Sequence, residues 1–154
     1  MSTIDQKAIV SGALVSGVIN AVINGGIQWF LLRNHAPLPL TVDGITNDEH
    51  TVFGAAVPLA VSLAMILTAV AYTTVKGAKP RFYPTFLWMT IKHGFFALGM
   101  VVTFAVLWQR AVGSVEVSLP FAVFLLGVVA GVVAGVVNYM TIKAAAMQSA
   151  LDAG

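Results

Sequence analysis

Four long apolar runs dominate the chain, and short polar stretches separate them. Each run reaches the length of about 20 residues that a helix needs to cross the hydrocarbon core of a bilayer. The runs are continuous rather than alternating in polarity, which favours helices over the strands of a barrel. The pattern predicts an all-α integral membrane protein with a single domain. Its four transmembrane helices are expected to form an up-down bundle, with spans at about 8–32, 52–75, 85–108 and 119–142.

The composition indicates that lipid is the solvent for much of the chain. Of the 154 residues, 58% are hydrophobic and 9% are charged, whereas a soluble domain has about 25% charged residues. The net charge is only +2 and no cluster of cations is interleaved with aromatics, so no nucleic-acid partner is predicted. The chain has no cysteine, which excludes disulfides, thiolate metal sites and cysteine catalysis.

The distribution of cations predicts the orientation of the helices. Cytoplasmic ends of transmembrane helices carry an excess of Lys and Arg. If both termini are cytoplasmic, the outer side receives only Arg33 and Arg110, and the inner side receives Lys7, Lys76, Lys79, Arg81, Lys92 and Lys143. We therefore expect a protein of the cytoplasmic (inner) membrane, of bacterial type, with both termini inside.

Three glycines form a ridge on the last predicted helix. Gly127, Gly131 and Gly135 recur every fourth residue and so share one face. Such small residues allow a second helix to approach closely within a membrane. The sequence leaves open whether the ridge packs against the first helix of the same chain or against another copy. Asn138 follows this face, and it would meet Asn20 or Asn24 if the ridge packs on the first helix.

A polar stripe runs along the first predicted helix. Its members are spaced four apart and therefore lie on one helical face: Ser16, Asn20, Asn24 and Gln28. Amides facing lipid are costly, so the stripe is expected to face protein or water. It would either line a path for a solute or ion, or hold the helices together by hydrogen bonds. Gly25 and Gly26 are expected to break the helix there, and Pro58 to bend or loosen the second helix.

Lys92 and His93 are the ionisable residues within a predicted span. Lys92 is close enough to the cytoplasmic end for its side chain to reach the headgroups. His93 points in another direction and is a candidate for proton transfer or for axial ligation of haem. Intramembrane ionisable groups are functional candidates by default.

The first connection is expected to be extended over 35–40, because Pro37 and Pro39 each restrict the preceding residue. It carries side chains able to bind a metal, but their spacing matches no ligand signature: His35, Asp43, Asp48, Glu49 and His50. No metal site and no cofactor is therefore predicted. No pair of nucleophile and base and no phosphate-binding loop occurs either, so catalytic residues are not assigned and an enzyme is not expected.

Three functions remain after these exclusions. The first is a small membrane protein that forms a homo-oligomer and offers a path for a small solute or ion, as the polar stripe suggests. The second is an accessory subunit that docks onto a partner membrane protein through its glycine ridge. The third is a binder of lipid or of a hydrophobic cofactor, with a cleft beside the third helix.

Overall fold

The computed structural model describes residues 6–35, 37–43, 50–74 and 82–151, with side chains as far as residue 147. These residues form the helices α1 (Gln6–Leu32), α2 (Val52–Thr74), α3 (Leu87–Val112) and α4 (Leu119–Leu151). A short irregular turn, Phe82–Phe86, leads into α3. Each of the four helices is long and apolar enough to cross a membrane, which confirms the prediction of four helices of membrane-spanning length.

The third helix extends beyond its predicted end near residue 108. The polar pair Gln109 and Arg110 suggests an end to the apolar span, but helical hydrogen bonding continues through it. Gly113 terminates the helix, because its N–H bonds the carbonyl of Gln109 at 3.0 Å and its φ is +84°. Glycine accepts this left-handed conformation without the steric cost that a side chain would bring.

Two short strands join the first and third connections. Strand β1 (Leu38–Leu40) pairs antiparallel with β2 (Val115–Val117), with Leu38 opposite Val117. Of the segment expected to be extended, Leu38–Leu40 forms one strand of this two-stranded sheet. Leu38 and Leu40 are fully buried beneath it. The sheet places the end of α1, the start of α2, the end of α3 and the start of α4 on one side of the molecule.

The helices pack in the order α1, α4, α2, α3. Helix α1 packs closely on α4 alone, α4 also packs on α2, and α2 packs on α3. Contact between α3 and α4 is slight. Sequence neighbours α1 and α2 are therefore separated by α4, and this order decides which faces border each cleft.

Small side chains fill the core between these helices. Ala60, Ala64, Ala105 and Ala130 are each fully buried. Within a membrane, such residues bring helix backbones together because dispersion contacts rather than the hydrophobic effect hold helices in place. Many larger apolar side chains are exposed on the outer faces of the helices.

Candidate functional site

Helices α1 and α4 meet backbone to backbone along the glycine ridge. A Cβ atom added to Gly17 would lie 2.9 Å from the carbonyl oxygen of Gly131. One added to Gly127 would lie 3.1 Å from the carbonyl oxygen of Ala21. One added to Gly135 would lie 3.3 Å from that of Ala13. Facing positions thus run in opposite directions along the two helices, which are antiparallel, and the ridge lies against α1 of the same chain. We call this contact the α1–α4 seam.

One flank of the seam is an open apolar groove. Leu14 and Val18 of α1 each follow a seam residue by one position, and so do Val128 and Val132 of α4. These side chains border a groove of about 560 Å³ whose floor is the seam itself. We call it the seam groove.

The polar stripe lies on the opposite flank. Ala130 and Ala134 precede seam glycines by one position and pack with Leu63 of α2. Asn20 and Asn24 likewise precede the seam residues of α1 by one position. Because α1 and α4 are antiparallel and face each other, equivalent offsets fall on the same flank. The stripe therefore lies on the side of α1 that faces α2. These two helices do not pack closely on each other, and we call the space between them the cleft.

The stripe's asparagines bond their own helix. Asn20 Nδ2 donates to the carbonyl of Ser16 at 2.9 Å, and Asn24 Nδ2 donates to that of Asn20 at 2.9 Å. Both side chains are half-buried. Neither Oδ1 atom accepts a hydrogen bond from the described residues, and neither is fully enclosed. Gln28, one turn further, is buried. The stripe thus presents two amide oxygens with unused acceptor capacity to the cleft.

The expected helix break at Gly25 and Gly26 is wrong, whereas the bend or loosening expected at Pro58 stays a prediction. Helix α1 runs without interruption through Gly25 and Gly26, and α2 runs through Pro58. Gly25 is buried beside Val123 of α4, so packing on α4 stabilises the helical conformation that two glycines weaken. At Pro58 the missing N–H removes a single helical hydrogen bond, and buried neighbours on both sides hold the helix together.

Asn138 does not meet the stripe. The antiparallel register sets Gly135 opposite Ala13, so Asn138 lies beyond that point, toward the start of α1 and away from Asn20. Its Oδ1 atom is buried and has no hydrogen-bond partner in the described part of the chain. The expected meeting with Asn20 or Asn24 is therefore wrong, because the register was not fixed by the sequence.

Lys92 and His93 occupy different environments. His93 is buried between α2 and α3, and its Nδ1 lies 2.8 Å from Thr68 Oγ1. Thr68 Oγ1 in turn donates to the carbonyl of Ala64 at 2.7 Å. From Nδ1 this chain of hydrogen bonds ends at a helix carbonyl rather than at a titratable group. Lys92 is exposed, with Nζ 5.6 Å from the centre of the Trp88 ring.

The connection between α1 and α2 forms no metal cluster within the residues that the structure describes. The rings of His35 and His50 stack with their centres 3.9 Å apart and an angle of 14° between planes. Asp43 Oδ2 accepts a hydrogen bond from Thr41 Oγ1 at 3.0 Å. Asp48 and Glu49 lie outside the described residues.

Several buried polar groups carry no signal in the sequence. Thr68 and Thr141 are single threonines in apolar runs, yet both are fully buried. Trp108 Nε1 and Gln109 Oε1, near the C-terminal end of α3, are buried atoms without a partner in the described residues. A threonine or tryptophan in an apolar helix is ordinary, so only the packing distinguishes these positions.

Compared with protein-family models, curated proteins and solved structures, the chain matches none. The geometry of the described residues is therefore the basis for proposing a function. The two flanks of the α1–α4 seam offer different environments. One presents amide oxygens, and the other presents an apolar groove.

Proposed function

We propose that this protein is an inner-membrane protein whose homo-oligomer provides a path for a small solute or ion beside the polar stripe of α1. The observation that carries this proposal is the pair of open amide oxygens of Asn20 and Asn24 within a membrane-spanning helix. Both side chains donate to carbonyls of their own helix, so these two hydrogen bonds do not join α1 to another helix.

An amide oxygen without a donor is costly in hydrocarbon. A polar group that leaves water without a hydrogen bond costs about 1–3 kcal/mol in proteins. Water or a polar solute in the cleft between α1 and α2 removes this cost. Oxygen ligands of this kind suit a hydroxyl-bearing solute, and they also suit a cation that replaces part of its hydration shell.

The cleft needs a second wall. Helix α1 packs closely on α4 alone, so one chain leaves the cleft open along one side. A second copy placed across the opening would enclose the stripe. An oligomer therefore belongs to the proposal.

The charges at the two ends support the proposed orientation. Arg33, Arg110 and Glu116 lie at the end where β1 and β2 pair. Lys7 and Lys143 lie at the opposite end, near the start of α1 and past the glycine ridge of α4. Lys92, near the start of α3, also lies toward that end, so three cations of the described residues stand there against two at the strand end. This bias supports an up-down arrangement with both termini in the cytoplasm.

The test is flux through proteoliposomes, measured by stopped-flow light scattering with glycerol and urea and by a potassium-sensitive dye. We expect the wild type to accelerate the flux of at least one probe. The double variant Asn20→Leu with Asn24→Leu removes two acceptors worth about 1 kcal/mol each, which lowers this flux roughly 30-fold.

The matched control is Val22→Leu, an apolar change at an exposed position of α1 away from the stripe. It should leave the flux unchanged. The double asparagine variant should remain folded, because each amide bonds only its own helix. Unchanged flux in a folded double variant would disprove the path. If the double variant unfolds, the stripe is structural.

Purification in a mild detergent tests the oligomer. We expect a single species containing several copies of this chain alone. Recovery with an unlike membrane protein in a fixed ratio would favour an accessory subunit instead. Such a partner would need a face other than the glycine ridge, because α1 covers that ridge.

A further inference from the structure

The seam groove has the dimensions and lining of a ligand site. Its volume of about 560 Å³ falls within the range of about 300–1,000 Å³ that is typical of small-molecule pockets. The glycines of the seam, with Ala13 and Ala21, form its floor, because these small residues leave space between the two rows of larger side chains. Every residue that lines it, apart from the hydroxyl of Tyr139, is apolar. A hydrocarbon chain suits such a surface.

Both rows of the groove lead to a lysine at the same end. On α4, Val132, Val136 and Tyr139 are followed by Lys143, four residues after Tyr139 and on the same face. On α1, Val10 and Leu14 are preceded by Lys7, three residues before Val10. The antiparallel register brings these two ends of the helices together.

The position of Lys143 favours an anion at this end of the groove. Lys143 Nζ lies 5.6 Å from the centre of the Tyr139 ring, at the mouth of the groove. The acidic residues within the described ranges, Asp43 and Glu116, are next to β1 and within β2 at the other end of the molecule. A basic position between helix ends at the cytoplasmic surface is the arrangement that binds anionic headgroups.

We propose that the seam groove is a binding site for an anionic phospholipid. One acyl chain lies along the glycine floor between α1 and α4, and the headgroup phosphate contacts Lys143 beside Tyr139. The site lies on the flank of the seam away from the polar stripe. It therefore stands whether or not the stripe conducts a solute.

The experiment measures lipid retention by native mass spectrometry. The full chain is placed in nanodiscs of phosphatidylcholine with a minor fraction of phosphatidylglycerol and is then released. We expect the wild type to retain phosphatidylglycerol in preference to phosphatidylcholine. Lys143→Gln removes one cation near the headgroup, which lowers phosphatidylglycerol retention about fivefold. Phosphatidylcholine retention should not change.

Lys92→Gln is the matched charge control. Lys92 is also exposed and also lies 5.6 Å from an aromatic ring, that of Trp88, but it is on α3 and borders no seam. Its replacement should leave phosphatidylglycerol retention at the wild-type value. An equal loss in both lysine variants would overturn the proposal, since it would show a general effect of surface charge.

A second pair of variants tests the groove itself. Val18→Trp fills the groove from an exposed position, whereas Val22→Trp adds the same bulk one turn further along α1, at a position that does not line it. Val18 is 65% exposed and Val22 is 71% exposed, so both variants should fold. We expect only Val18→Trp to abolish the preference for phosphatidylglycerol.

Two results would overturn the proposal. One is a Val18→Trp protein that retains phosphatidylglycerol like the wild type. The other is a Val18→Trp protein whose oligomeric mass changes while its lipid retention does not, which would assign the groove to a second copy of the chain.

Discussion

Two helix pairs in this molecule are held together by different physics. Helices α1 and α4 meet through glycines whose absent side chains let one backbone touch the other, as between Gly17 and Gly131. Helices α2 and α3 meet through side chains, with a buried hydrogen bond between Thr68 and His93 at 2.8 Å. The contact between α1 and α4 depends on the absence of side chains at the glycines. The contact between α2 and α3 depends on the hydrogen bond between two side chains.

This difference predicts opposite sensitivities. Adding atoms to the α1–α4 seam forces the helices apart, because the obstructing atoms are backbone oxygens that cannot rotate away. Removing a polar atom from the α2–α3 interface leaves its partner buried without a hydrogen bond. Substitutions that add bulk or that remove a single hydroxyl therefore separate the two cases.

The largest effect is expected from Gly131→Leu. A Cβ atom there would lie 3.1 Å from Ala21 Cβ and 3.1 Å from the carbonyl oxygen of Gly17. Overpacking against fixed backbone should cost about 3 kcal/mol or more of unfolding free energy. Denaturation in mixed detergent micelles measures the loss. Gly26→Leu is the control, because nothing lies within 4 Å of a Cβ at Gly26. Equal losses in the two variants would show that the seam is not the sensitive contact.

An intermediate effect is expected from Thr68→Val. The valine keeps the shape but removes the hydroxyl, so His93 Nδ1 loses its partner at a cost of about 1–2 kcal/mol. Thr141→Val is the matched control, since Thr141 is equally buried and its hydroxyl bonds only the carbonyl of Val137 in its own helix. The same unfolding measurement should give Thr141→Val less than half the loss of Thr68→Val. Identical losses would mean that the bond to His93 contributes nothing.

The smallest effect is expected from Gly26→Ala, and it has the opposite sign. Gly26 lies in continuous helix with open space around it, so alanine should stabilise α1 by about 0.5–1 kcal/mol. A modest rise in the melting temperature is the readout. A fall would show that Gly26 needs a conformation that alanine cannot adopt, as the predicted break requires. The result therefore tests whether glycine matters only inside the seam.

The helical class of this protein and the apolar character of its helices were predictable from the sequence. Four apolar runs of sufficient length indicate helices that can cross a membrane, because 154 residues have too little interior to bury so much apolar surface in one core. The spacing of Asn20 and Asn24 places them on one face of α1, since helical periodicity is a local property. These inferences needed no knowledge of which helices touch.

Which helix packs against each helix face depends on the tertiary structure. A glycine ridge predicts that another helix backbone approaches closely, but it does not identify that helix. The register between α1 and α4 places Asn138 away from Asn20. The same packing keeps α1 helical at Gly25 and Gly26, where local propensity alone favours a break. It also sets amide oxygens on one flank of the seam and the seam groove on the other. Helical periodicity and apolar length depend on residues close together in sequence, whereas contacts between distant residues depend on how all four helices pack against one another.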